Sequence, residues 1–318
     1  MRFASLLIAI CLGACTLPRP RLVADEGLAR SMAPVARLGR WDGERFVEVA
    51  PGTLPPSRLR VLVHGWTPGR DRRSLREGGM RSWEMTTRDG RPFEPWMSEL
   101  ARMFTLHDPH AVVVAFSWVD DSSTIAAPVA ARRALVHTTG YGQVLAEAIE
   151  AGLASDFYAE NGSIQLVGHS YGARVATIAA GAMETPPAQL TMFDAPDGVM
   201  VEFTGIESNL RQLLEELPLG WGRGHTFADN YVSMVGRRYG WRDGLGEVRD
   251  VVLAPPFGSL DYRGRHLYPM RFYAQSPGRG YGYDWSPLSG RTTPPQDGCF
   301  EQRTTAAPAL VRGCTDAP

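Results

Sequence analysis

Ser170 stands in the pentapeptide Gly168-His169-Ser170-Tyr171-Gly172. A serine hydroxyl is a poor nucleophile until a neighbouring base takes its proton, and an imidazole base needs a carboxylate to hold its tautomer and stabilise the imidazolium. The chemistry this implies is attack of the serine oxygen on a carbonyl, so a histidine and a carboxylate must reach Ser170. Carboxylate candidates downstream are Asp194, Asp197 in the same Phe193-Asp194-Ala195-Pro196-Asp197 stretch, and Asp229 in Ala228-Asp229-Asn230-Tyr231. The chain has seven histidines: His64, His107, His110, His137, His169, His225 and His266.

A five-residue pattern with three fixed positions occurs by chance in long chains, so its flanks decide what it means. Residues 163–167 have the length and apolar character of a buried strand, whereas residues 173–183 set Val175, Ile178, Ala179 and Ala182 at helical spacing. The turn between them is sharp, and glycines at 168 and 172 have no β-carbon to collide where strand and helix come close. Such a turn lifts the serine hydroxyl clear of the sheet, near a helix N-terminus.

The same alternation runs along the chain. Residues 59–63 read as a strand that feeds His64-Gly65-Trp66-Thr67-Pro68-Gly69, whose glycines let the backbone approach a ligand. Residues 69–92 are polar and Arg-rich without a period, as in an active-site loop or lid. A helix is expected over 96–104 and a strand buried on both faces over 111–118, with Asp120 and Asp121 as a turn or helix cap. A second helix over 140–153 leads into the serine strand, and a strand over 190–193 ends at Asp194. Strand, helix, strand, helix, strand predicts one parallel sheet with helices on both faces. Farther on, Leu210, Leu213, Leu214 and Leu217 at helical spacing suggest a cap over the pocket within 199–224, although an ordinary packing helix has the same stripe. Residues 251–254 read as the last core strand, followed by a Pro/Gly/Arg-containing loop that carries His266 over the sheet edge. His225 lies in a Gly-rich stretch before a Tyr231-Val232 strand signal. Trp221, Trp241, Tyr281, Tyr283 and Trp285 suit either the walls of an apolar acyl pocket or core and turn packing.

His64-Gly65-Trp66, the Ser170 pentapeptide, Met192-Phe193-Asp194-Ala195-Pro196 and the late His266 together resemble the α/β-hydrolase superfamily, in particular lipases of the pancreatic type. The resemblance covers residues 59–273, with the Pro-Ala order after the acid exchanged. It implies the α/β-hydrolase fold, a doubly wound, mostly parallel sheet with a helical cap or lid, and Ser-His-Asp catalysis on carboxylic esters with no cofactor or metal. In the order that the superfamily uses, acid and base follow the nucleophile. Asp194, at the end of the very next strand, is then the acid, with Asp229 as the alternative. The base is His266 or His225, with His266 favoured, and His169, the variable residue of the turn, is expected to point elsewhere. The resemblance also assigns the oxyanion hole to the backbone N–H groups of Trp66 and Tyr171. His64, beside that loop, is read as a brace for it.

At 318 residues, 44% hydrophobic and 21% charged, the chain fits one large α/β domain. A net charge of -1 without basic runs gives no case for nucleic acid as a partner. Arg2, the short apolar run 4–12 and Leu12-Gly13-Ala14-Cys15 resemble the signal and lipobox of bacterial lipoproteins, with cleavage before Cys15 and lipidation of that cysteine. Residues 1–14 are then signal, 15–34 a tether, 35–298 the catalytic domain and 299–318 a tail lacking a packing pattern. Thr16 after the cysteine resembles outer-membrane sorting. In an exported protein the remaining Cys299 and Cys314 can form a disulfide. The expected activity is that of an esterase or lipase at the cell envelope, acting on small-molecule or lipid esters and held to the membrane by its anchor. An acyltransferase would use the same triad, and a non-catalytic envelope lipoprotein could keep the scaffold for binding.

Overall fold

The computed structural model describes residues 37–68, 96–118, 122–124, 128–196, 209–233, 236–240, 245, 247–253, 262–293, 295, 299–301 and 309–311. Several expectations lie outside them: the signal, Cys15 and tether of 1–34, the loop 69–92, Asp120, Asp121, Asp197, Trp241 and Cys314, and with Cys314 the disulfide to Cys299.

In chain order the elements are β1 (Leu38–Trp41), β2 (Phe46–Glu48), β3 (Arg58–Val63), β4 (Thr67–Pro68), α1 (Trp96–His107), β5 (Ala111–Phe116), β6 (Ser123–Thr124), α2 (Pro128–Gly152), β7 (Ser163–His169), α3 (Tyr171–Ala182), β8 (Gln189–Phe193), α4 (Leu210–Glu215), β9 (Phe227–Val232), β10 (Val248–Val252), α5 (Tyr262–His266), α6 (Tyr268–Ala274), β11 (Cys299–Glu301) and β12 (Ala309–Val311). Eight strands form one sheet in the order β10-β9-β8-β7-β3-β5-β1-β2. The six from β10 to β5 are parallel to their neighbours; β1 runs antiparallel to β5, and β2 to β1.

Alternate residues on each parallel strand face opposite ways and meet different helices, which is why these strands read as continuous apolar runs. One face buries Val61, Val63, Val114, Ile164, Leu166, Leu190 and Met192 with residues of α2, α3 and α4. The other buries Leu62, Val113, Val167, Phe193 and Tyr231 with Trp96, Leu100 and Phe104 of α1 and Tyr273 of α6. Each such side chain contributes roughly 1.5–3 kcal/mol. The chain leaves β3 for β5 on one side and returns through α2 to β7 on the other, so the order reverses at β3. The crevice beyond the carboxyl ends of strands at such a reversal is where open α/β sheets bind ligands.

Some boundaries differ from expectation, each for a physical reason. α2 starts at Pro128, well before residue 140. The helix expected over 140–153 therefore continues upstream through its glycines, and Gly142 lies where a β-carbon would come within 2.5 Å of Ile178, so it serves close packing between α2 and α3. β10 is shifted to Val248, an edge strand in which Val248 packs on one face of the sheet and Val251 on the other while the residues between them are half-exposed, so it gives no continuous apolar run. The β1–β2 hairpin is too short to signal itself. Of the expected cap 199–224, residues 199–208 lie outside the described residues; in the rest, Leu210 and Leu214 of the short α4 are buried with residues of α3. The tail, expected to lack a packing pattern, contains an antiparallel β11–β12 pair. Among the described residues no helix is long and apolar enough to cross a membrane.

Candidate active site

β7 and α3 deliver Ser170. The strand runs to His169, the helix begins at Tyr171, and the residue between them has φ 53 and ψ -129, a conformation that an L-residue adopts only under constraint. Strain of this kind costs on the order of 1–3 kcal/mol and persists where its surroundings over-determine it. Here they do: the Ser170 amide donates to the Phe193 carbonyl at 2.9 Å, and a β-carbon on Gly168 would meet Ala173 Cα at 2.4 Å. One on Gly172 would meet the Val63 and His64 carbonyl oxygens at 2.4 Å. Only glycines let strand, helix and β3 close around the serine this tightly. The N-terminus of α3 lies at Ser170, so the helix dipole favours negative charge developing beside it.

Asp194 follows β8 directly, itself at φ 45, with its amide donating to the Tyr231 carbonyl at 2.8 Å. Its carboxylate is fully buried. Oδ1 accepts the backbone N–H groups of Ser233 at 3.0 Å and Gly236 at 2.9 Å, and Oδ2 lies 2.6 Å from His266 Nδ1. An ionised carboxylate only accepts, so Nδ1 donates, and in the neutral imidazole the other nitrogen, Nε2, is left as the basic one. His266 closes α5, rather than riding on an irregular loop as expected.

The alternatives fall elsewhere. His225 is exposed, with Nδ1 3.2 Å from the Arg223 carbonyl, and it precedes β9 at the amino-terminal edge of the sheet, opposite to Ser170. Asp229 lies within β9, fully buried, and accepts from Thr191 Oγ1 at 2.6 Å, Gln189 Nε2 at 3.1 Å and the Tyr231 hydroxyl at 2.9 Å. Burial raises its pKa to about 6, against the lowering effect of these hydrogen bonds.

The loop after β3 runs past the serine. A β-carbon on Gly65 would lie 2.8 Å from Ser170 Cβ and 2.9 Å from the His169 carbonyl oxygen. Trp66 comes next, half-buried, with its ring 6.4 Å from that of Tyr171. Its continuation, β4, pairs in parallel with β6, so a two-stranded ladder joins this loop to the one after β5. His64 fixes the loop's root. The Trp118 backbone N–H donates to His64 Nε2 at 3.1 Å, so Nδ1 carries the proton and donates to the Gly65 carbonyl at 2.9 Å. Trp118 Nε1 donates to the His64 carbonyl at 2.6 Å, and the two rings stack at 5.5 Å. Both ring nitrogens are therefore committed to holding backbone.

His169 does not point away from the site. Its ring lies 4.4 Å from the His266 ring, and its Nε2 lies 3.2 Å from the His266 carbonyl. The sequence carried no signal for this, because the variable residue of such a turn has no periodicity to read. Among the described residues, no group of three or more His, Cys, Asp or Glu side chains is arranged to hold a metal ion.

A mostly parallel sheet reversing at β3, helices on both faces and a strained serine between β7 and α3 make this the α/β-hydrolase fold. No family model matches the chain. No curated protein matches it. Among solved structures it is similar to a protein of Xanthomonas campestris described as a member of the α/β serine hydrolases without lid. The two are 15% identical, with a TM-score of 0.30, over 71% of this chain and 87% of the other. So slight a likeness carries no weight beside the sheet order and the turn.

Proposed function

We propose that the chain is a serine hydrolase that cleaves carboxylic esters through an acyl-enzyme. The observation that carries this reading is the strained Ser170 at the carboxyl edge of the sheet where Asp194 and His266 share a 2.6 Å hydrogen bond. His266 Nε2 takes the Ser170 proton as the oxygen attacks the ester carbonyl, and Asp194 stabilises the imidazolium that forms. The backbone N–H groups of Trp66 and Tyr171 hold the tetrahedral oxyanion; the nearness of Gly65 to Ser170 supports the first and the start of α3 the second. The imidazolium then protonates the leaving alcohol. Water, activated by the same base, resolves the acyl-enzyme.

The test is hydrolysis of p-nitrophenyl esters from acetate to palmitate by the chain beginning after Cys15, beside Ser170→Ala, His266→Ala and His225→Ala. Wild type and His225→Ala turn over, whereas the serine and His266 variants lose several orders of magnitude. A folded wild type inert on every ester, and unlabelled by a fluorophosphonate, would sink the reading in favour of a binding protein. Added alcohols separate hydrolysis from acyl transfer by the product formed.

The lipobox-like Leu12-Gly13-Ala14-Cys15 further supports a lipid-anchored enzyme of the cell envelope. Palmitate labelling of the full chain, lost in Cys15→Ala, is the expected outcome; equal labelling of both would remove the anchor.

A further inference from the structure

His266 comes late in the chain, yet it must stand within a few tenths of an ångström of its working position over the turn, since misplacement by about 1 Å can cost 100-fold in rate. Asp194 holds only its ring, through Nδ1. Its backbone, at the end of α5, takes a further hydrogen bond from His169, the residue bonded to Ser170. A carbonyl can only accept, so at 3.2 Å His169 Nε2 is the protonated nitrogen and donates to the His266 carbonyl. His169 Nδ1 is then a bare lone pair, buried and with no hydrogen-bond partner among the described residues. The ring is packed edge-on by Trp96 of α1 at 5.9 Å and lies 4.4 Å from the His266 ring, tilted 48° to it.

The charge state of His169 follows from its surroundings. The titratable groups facing it are His266 on α5, Asp194 after β8 and His64 after β3. Burial, then the neighbouring His266, hold its pKa well below the usual histidine value, outweighing the opposite pull of Asp194. The imidazole beside the base therefore stays neutral while His266 gains and loses its proton.

We propose that His169 is a positioning residue for the reaction: its imidazole, donating through Nε2–H to the His266 carbonyl, ties the backbone of the base to the backbone of the nucleophile. The inference rests on the roles given above to Ser170 and His266, but it does not need the substrate to be an ester.

Two variants separate the donor from the bulk. His169→Phe keeps a flat ring against His266 and Trp96 but has no N–H, whereas in His169→Gln the side-chain amide N–H reaches about where Nε2–H lies and cannot titrate. His169→Phe should lower kcat about 10- to 100-fold with KM little changed, and His169→Gln should recover most of that loss. The low-field proton NMR signal of His266 Nδ1–H, held by Asp194, should broaden or vanish in the Phe variant and persist in wild type and the Gln variant. The NMR arm needs no substrate. If wild type proves inert on esters but the signal behaves this way, the ester reading fails and the positioning role stands. Wild-type kcat and an unchanged signal in folded His169→Phe would overturn the role, as would Gln as damaged as Phe in both readouts. Should the Phe variant not fold, loss of the signal in His169→Gln decides against the proposal and its retention supports it.

Discussion

Asp194 and Asp229 are both fully buried, and they come from neighbouring strands of one sheet. Asp194 lies past the end of β8, where two backbone N–H groups fill Oδ1 and leave Oδ2 facing an imidazole that can become charged. Asp229 lies inside β9, where every partner is a neutral side chain. It ends a directional chain of hydrogen bonds across four strands. Arg60 donates to Gln165 at 2.6 Å, Gln165 to Thr191 at 2.7 Å, and Thr191 to Asp229 at 2.6 Å. Arg60 is itself fully buried and ion-paired to Asp108 at 3.4 Å. Both carboxylates are satisfied, but only Asp194 adjoins the imidazole that the proposed mechanism charges. Burial and hydrogen bonding alone therefore do not mark a catalytic acid; what it faces does.

The sharpest break of this comparison is the same isosteric change at both positions. In the proposed mechanism Asp194→Asn removes the negative charge that stabilises the His266 imidazolium and can present Nδ1 with an amide of the wrong polarity, so ester turnover should fall about 10³- to 10⁴-fold. Asp229→Asn should leave kcat/KM within about threefold, because no reacting group adjoins it. Steady-state kinetics on one p-nitrophenyl ester is sufficient. Equal losses in the two variants would mean that the row of side chains across the sheet takes part in catalysis.

What the sequence revealed divides along the same line. β3, β5, β7 and β8 were legible because strands buried on both faces are nearly unbroken apolar runs, and Ser170 because strand, glycine and helix signals flank it. The choice of Asp194 over Asp229 rested on its place just after β8. The buried row was not legible: Arg60, Gln165 and Thr191 are single polar residues inside those runs, and only the register shows that Arg60 opposes Gln165 and Thr191 opposes Asp229. The available clue was a polar residue at a similar depth in each of several strands otherwise expected to be apolar. His169 was misjudged because direction out of a turn is a tertiary property. The β1–β2 hairpin and the early start of α2 escaped because edge strands and glycine-containing helices give weak local patterns.

A second break should appear in stability and not in rate. Gln165→Leu cuts the row in the middle, removing the acceptor of Arg60 and a donor to both Thr191 and the Tyr273 hydroxyl. A buried guanidinium that loses a partner is costly, so urea denaturation should show a loss of about 3 kcal/mol. Turnover per folded molecule should stay within about threefold of wild type. An unchanged denaturation midpoint would show that the row contributes nothing net to the fold.

The smallest effect separates the carboxylates by pH. Burial raises Asp229 from an ordinary value of 3.8 to about 6, so between those values the native state binds more protons at this site than the unfolded chain does. Stability then falls as pH rises through that window and levels off above it, the reverse of the usual behaviour of a paired aspartate. From pH 5 to pH 7 the loss from this one group is about 1 kcal/mol. Asn at position 229 has no such titration. Whatever its stability at pH 5, Asp229→Asn should gain about 1 kcal/mol on wild type by pH 7 in paired urea titrations. Parallel curves across that range would mean that Asp229 keeps an ordinary carboxylate pKa inside the sheet, with the hydrogen bonds from Thr191, Gln189 and Tyr231 stabilising its charge as fully as water does.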